Sequence, residues 1–131
     1  MNGTRRPRSI EIPNVTHGSV PIPSGARVGN MIFSSGIMGK DPATDALPAD
    51  GPAQVRFAFE NMRELLRLAG ATLESVGHVK VYLKDNALRE TVNEQWIRCF
   101  PDAHDRPARH TMLHDLPGGM LVQLEIIAVV G

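Results

Sequence analysis

The sequence predicts an α+β domain in which a mostly antiparallel or mixed sheet carries two helices on one face. Three observations predict it. Short apolar runs broken by Gly and Pro fill the first third of the chain. Two later segments repeat apolar residues at helical spacing, and further strand-like runs lie between and after them. Strands and helices are therefore segregated, which is the α+β pattern. The 131 residues suit one domain over 1–131, with 1–7 as a basic tail. A chain of this length buries roughly two-thirds of its unfolded surface, so no disulfide or metal is required to hold it together.

Arg8 to Ile12 alternates charged and apolar residues and suits a strand. Pro13, Gly18, Pro21, Pro23 and Gly25 punctuate the next stretch. Ala26–Val28 and Met31–Phe33 flank Gly29-Asn30, which signals a hairpin. Gly39 to Asp50 holds Asp41, Pro42, Asp45 and Pro48 and reads as a loop. Asp50 then caps a first helix, with Pro52 in the turn where a missing N–H leaves nothing unpaired. Val55, Ala58, Phe59, Met62, Leu65, Leu66 and Ala69 form its buried stripe, Arg56, Glu60, Arg63, Glu64 and Arg67 its solvated face, and Gly70 its end.

Val76 to Leu83 reads as a strand with Val79, Val81 and Leu83 on one side. A second helix runs from Ala87 to about Phe100, capped by Asp85 or Asn86, with Leu88, Val92, Trp96, Cys99 and Phe100 as its stripe; Pro101-Asp102 stops it. Ala108–Leu113 is a strand, Pro117-Gly118-Gly119 a turn, and Met120–Val130 a long strand. That last strand is apolar on both parities: Leu121, Ile127 and Val129 on one, Val122, Leu124, Ile126 and Ala128 on the other. Two helices cover only one face of such a sheet, so an oligomer is expected to bury the other.

Lys and Arg total 14 and Asp and Glu 14, for a net charge of +0, which argues against a nucleic-acid partner. The single Cys99 excludes a disulfide scaffold and any Cys-built metal cluster. No run approaches the roughly 18 apolar residues of a membrane span, so no membrane partner is expected. Arg5, Arg6 and Arg8 precede no apolar segment, unlike a signal peptide, and a cytoplasmic location is the expectation.

Glu125 is the most informative residue. It sits in Met120–Val130, where Gln123 is the only other polar side chain. A buried carboxylate must be paired or neutralised, or else serve as a general acid or base. Arg109 is its natural partner: it lies on an apolar strand, sharing a face with Thr111 and Leu113 while His110 and Met112 point the other way. Its planar fork suits a carboxylate, either that of Glu125 or that of a ligand. Ser34-Ser35-Gly36, at a strand end, is small enough for a ligand to approach the backbone. His104, His110 and His114 accompany no carboxylate pattern of a metal site, so no metal ligand is assigned. No nucleophile elbow, phosphate loop or dinucleotide fingerprint appears.

Arg27–Gly36 (RVGNMIFSSG), Asp41–Thr44 (DPAT), Glu60-Asn61-Met62, Val92-Asn93, Pro107-Ala108-Arg109 and Glu125–Ala128 (EIIA), taken in this order, resemble the RidA/YjgF family of reactive-intermediate deaminases. The resemblance covers about residues 8–131. It implies a chorismate-mutase-like α+β domain of the bacillus type, a homotrimer with sites between subunits, and no cofactor. It also implies hydrolysis of enamines and imines of amino acids, such as 2-aminoacrylate, to 2-keto acids and ammonia. Carried over, Arg109 holds the substrate carboxylate and Glu125 places the attacking water, while Asn93, Ser35 and Gly36 line the pocket. Thr111 stands where many members have Cys. Ile22 stands where the family has a pocket tyrosine and Ile37 where it has Gln, which makes the pocket more apolar and suggests a larger unsaturated substrate.

Two alternatives compete with this reading. One is a non-catalytic module that binds 2-keto acids or other small carboxylates, suggested by the missing phenol. The other is a ribonuclease, an activity attached to parts of the family, which the neutral charge and the 5% aromatic content do not favour.

Overall fold

A computed structural model describes residues 7–131; Arg5 and Arg6 of the expected tail lie outside that range. The described elements are β1 (Ser9–Ile10), β2 (Gly25–Val28), β3 (Met31–Ser34), β4 (Ile37–Met38), α1 (Gly51–Leu68), β5 (Val76–Leu83), α2 (Arg89–Cys99), β6 (Ala108–Leu113) and β7 (Val122–Val129). They form one mixed sheet in the order β1-β2-β3-β7-β5-β6, with β4 also beside β7. Only the β5–β6 pair is parallel, and α2 makes the crossover between its strands. The expected α+β class and the hairpin across Gly29-Asn30 are both present.

The two helices share one face of the sheet. Val79, Val81 and Leu83 from β5 and Val122, Leu124, Ile126 and Ala128 from β7 join Val55, Phe59, Met62, Leu65 and Leu66 of α1 and Val92 and Trp96 of α2 in the core. The Asp50 carboxylate caps α1 by accepting from the Ala53 amide at 3.2 Å. Gly70, at φ +79°, follows its end. The second helix starts later than expected, because Asn86–Leu88 is a 3-10 turn. Asp85 rather than Asn86 caps that turn, accepting from the Ala87 amide at 2.8 Å.

The first strand is shorter than expected, ending at Ile10. The Ile12 amide turns away from the ladder to the Ser24 hydroxyl at 3.3 Å, and Pro13 has no N–H to continue it. Two buried polar residues of α1 bind the irregular segments to the core. Gln54 Nε2 donates to the Pro48 and Gly119 carbonyls at 2.8 and 3.0 Å, while its Oε1 accepts from the Leu121 amide at 2.9 Å. Asn61 Nδ2 donates to the Met38 and Lys40 carbonyls at 3.0 and 2.9 Å.

The opposite face of the sheet carries no helix. Met31 and Val129 are cross-strand neighbours there, as are Phe33 and Ile127, and the four side chains are 37–44% exposed. This is the second apolar parity read from the last strand.

Candidate functional site

Arg109 lies on β6, at the end of the strand order, and pairs with the fully buried Val79. Cross-strand neighbours point to the same side of a sheet, so its side chain runs toward α2. There Nη2 donates to Asn93 Oδ1 at 2.7 Å and Nε donates to Thr111 Oγ1 at 2.9 Å. The guanidinium carbon stands 5.1 Å from the ring centre of Trp96, a cation–π contact. Burial, and secondarily the nearby Arg89, lower the Arg109 pKa from its ordinary value. Its contacts are a neutral amide, a hydroxyl and an aromatic face, and none of the salt bridges among the described residues involves it. A half-buried cation without a counter-charge is a place for an anion.

The pattern of α2 explains this cradle. Arg89, Asn93 and Trp96 are spaced four and three residues apart and so share one helix face. The apolar pattern alone places Trp96 in the core stripe. The i, i+3 spacing of Asn93 and Trp96 is the signal that both reach the same group.

Glu125 lies on the other face. It is the cross-strand neighbour of Lys80, and Lys80 Nζ stands 3.9 Å from Glu125 Oε2. The expected burial of Glu125 is corrected, and of the two carboxylates open to Arg109, that of the same chain's Glu125 is ruled out. Its side chain is 41% exposed, because β7 alternates and the helices cover one parity only. Val79 and Lys80 are adjacent on β5, so their neighbours Arg109 and Glu125 point to opposite sides of the sheet.

Ser35 and Gly36 bridge β3 and β4. The Ser35 amide donates to the Ser24 carbonyl at 2.9 Å, and His17 Nε2–H donates to the Gly36 carbonyl at 3.1 Å. A side chain at Gly36 would overlap the amide of Gln123, which shares Glu125's face of β7. A larger residue there would have to displace the Gln123 side chain. Ile22 is exposed on the segment between β1 and β2. Ile37 is corrected from pocket wall to core: it pairs with Leu124 and is 4% exposed.

The candidate residues thus fall into two groups. Arg109, Thr111 and Asn93 meet on the helix side; on the uncovered side Glu125 stands beside Lys80, and Gly36 beside Gln123. Sequence reading misses Lys80, Gln123 and His17, although Gln123 and Glu125 share a parity that could link them. Two grooves, of about 680 and 760 Å³, include neither Arg109 nor Glu125. Among the described residues no three His, Cys, Asp or Glu side chains are placed to hold a metal ion.

The fold is a small α+β domain with a mixed sheet and two helices, and comparison with known proteins places it more closely. The family model described as Endoribonuclease L-PSP matches residues 20–130. The chain belongs to this family, the RidA/YjgF family. It is 31% identical over 123 residues to a RutC family protein of Aquifex aeolicus (strain VF5), covering 93% of this chain and 98% of the relative. It is 30% identical over 124 residues to the 2-iminobutanoate/2-iminopropanoate deaminase of Escherichia coli (strain K12), covering 93% and 97%. The crystal structure of E. coli TdcF with bound serine superposes with a TM-score of 0.84 at 27% identity, covering 95% of this chain and 99% of that one. No helix among the described residues is long and apolar enough to cross a membrane.

Proposed function

We propose that the chain hydrolyses imine and enamine intermediates of amino acids to 2-keto acids and ammonia, in sites formed between copies of itself. The observation that carries this reading is the Arg109 guanidinium, held by Asn93, Thr111 and Trp96 and lacking a counter-charge. A substrate carboxylate supplies that charge through a bidentate pair. The name of the E. coli relative and the serine bound by TdcF, itself an amino acid carrying a carboxylate, support the same substrate class.

An enamine substrate first becomes its imine, gaining a proton from water at carbon and losing one from nitrogen; with the carboxylate neutralised by Arg109, the imine carbon becomes more electrophilic. Water adds to it while Glu125 accepts a proton from the water. Glu125 returns that proton to the nitrogen, giving the neutral carbinolamine; the hydroxyl proton then passes to the nitrogen as the C–N bond breaks, ammonia leaves and the carbonyl forms. Imine plus water thus gives keto acid plus ammonia, with no redox partner. Placement of a carboxylate and a water suffices for an intrinsically easy hydrolysis.

Arg109 and Glu125 face opposite sides of one chain's sheet. In a homotrimer that stacks the uncovered face of one subunit against the edge of the next, the two groups meet across the boundary. A chorismate-mutase-like trimer has sites of this kind, and the exposed Met31, Phe33, Ile127 and Val129 supply a face to bury. The exposed Ile22, offering no hydroxyl, favours a second reading, a carboxylate-binding module without turnover.

The test follows keto acid release from enzymatically generated 2-aminoacrylate and from a bulkier enamine acid. Wild type is expected to accelerate release, and Arg109→Ala to lower kcat/KM by about 100-fold or more, the loss expected when a desolvated charge pair is broken. Equal rates for wild type and Arg109→Ala contradict the reading. Tight keto acid binding without turnover of either substrate selects the second one.

A further inference from the structure

We infer that Lys80 is a positioning residue for Glu125, keeping its carboxylate charged and aimed when the uncovered sheet face is buried. The inference rests on the reading of Glu125 as the group that places water. The two residues are direct cross-strand neighbours on that face, with Nζ 3.9 Å from Oε2. At that separation the ammonium acts as a counter-charge without a hydrogen bond. The carboxylate oxygens keep their lone pairs for a water molecule, which a tight lysine hydrogen bond would occupy.

The surroundings make the counter-charge consequential. On one side of Glu125 the face is apolar, with Ile127 two residues on and Phe33 beside Ile127. Covering this face removes water from the carboxylate, and desolvation alone favours its neutral form, which cannot accept a proton. From β5, the groups on this face are Lys80, His78 opposite Ile127, and Tyr82 opposite Gln123. From β6, His110 stands opposite Lys80. From the segment before β2, His17 reaches the Gly36 carbonyl. Of these, Lys80 is the one always cationic near neutral pH, and the one within 4.0 Å of the carboxylate. It is 41% exposed, so replacing it leaves the core intact.

The test compares wild type with Lys80→Met, Lys80→Arg and, as a control for loss of charge alone, Lys84→Met, whose lysine pairs with Asp115. Two readouts are taken on the assembled full-length protein: the Glu125 carboxyl titration by carbon-13 NMR, and the pH profile of kcat/KM with 2-aminoacrylate. Lys80→Met is expected to move the Glu125 midpoint and the acid limb of the profile to higher pH. Lys80→Arg should restore both, and Lys84→Met should move neither. An unchanged Glu125 midpoint in Lys80→Met, or an equal displacement in Lys84→Met, overturns the inference. The NMR titration decides this even if no enamine is turned over, an outcome that would count against the proposed function instead.

Discussion

The Arg109 cradle separates charge from geometry. Lysine at 109 would keep the charge but lose the fork, so Arg109→Lys is expected to recover only a small part of the activity that Arg109→Ala removes. Thr111→Val deletes the hydroxyl that accepts from Arg109 Nε. One such bond is worth about 1 kcal/mol, so KM should rise about fivefold with kcat little changed, which steady-state kinetics would check. Asp45 shows how a residue outside the site holds it in shape. Its carboxylate accepts from the Thr16 hydroxyl and amide at 2.7 and 2.9 Å, beside the His17 that meets Gly36. Those hydrogen bonds, with a smaller part from Lys40, lower its pKa from 3.8 to about 2. Its stabilising contribution is therefore complete above about pH 4 and lost as pH falls toward 2. Thermal melts of wild type and Asp45→Asn should differ at pH 5 and converge near pH 2; a constant difference across that range would show that the carboxylate's charge is not what matters.

Helix α1 is held to the irregular segments by single side chains, and Gln54 bears the most. Its three hydrogen bonds reach Pro48, Gly119 and Leu121. Gln54→Leu leaves a buried donor and two carbonyls unpaired and should lower unfolding stability by about 2–3 kcal/mol in denaturant titration. A loss below about 0.5 kcal/mol would mean that water replaces the amide. Elements with a strong period are legible from sequence: both helices, the hairpin, and strands β5 to β7. Strand β4, two residues long, presents no alternation to read. The shortening of β1 depends on the Ser24 hydroxyl, a contact 12 positions away in sequence. Gln54 and Asn61 look like ordinary polar positions in the sequence, because which carbonyls they meet is settled only when distant segments fold onto α1. Ile37 is expected in the pocket because it stands where the resembled family has Gln; its burial opposite Leu124 follows from a register on β7 that one strand's pattern does not show.

At the scale of the molecule, the sequence reveals that the sheet has a surplus apolar face, and the structure locates it at Met31, Phe33, Ile127 and Val129. It reveals Arg109 and Glu125 as unusual residues but not their relation, because which side of the sheet each faces depends on strand pairing. That relation makes assembly part of the proposed activity. Phe33→Glu is expected to leave the chain monomeric in sedimentation velocity, where the wild type sediments as the proposed oligomer, and to abolish turnover at the same time. Full activity of a monomer would refute a site shared between chains. The most direct measurement mixes two inactive variants, Arg109→Ala and Glu125→Gln, after reversible dissociation. If each site draws its guanidinium and its carboxylate from different chains, random reassembly restores about a quarter of wild-type activity, since half the chains supply each intact group. If mixing restores nothing while reassembled wild type is active, the two residues do not serve one site across a subunit boundary.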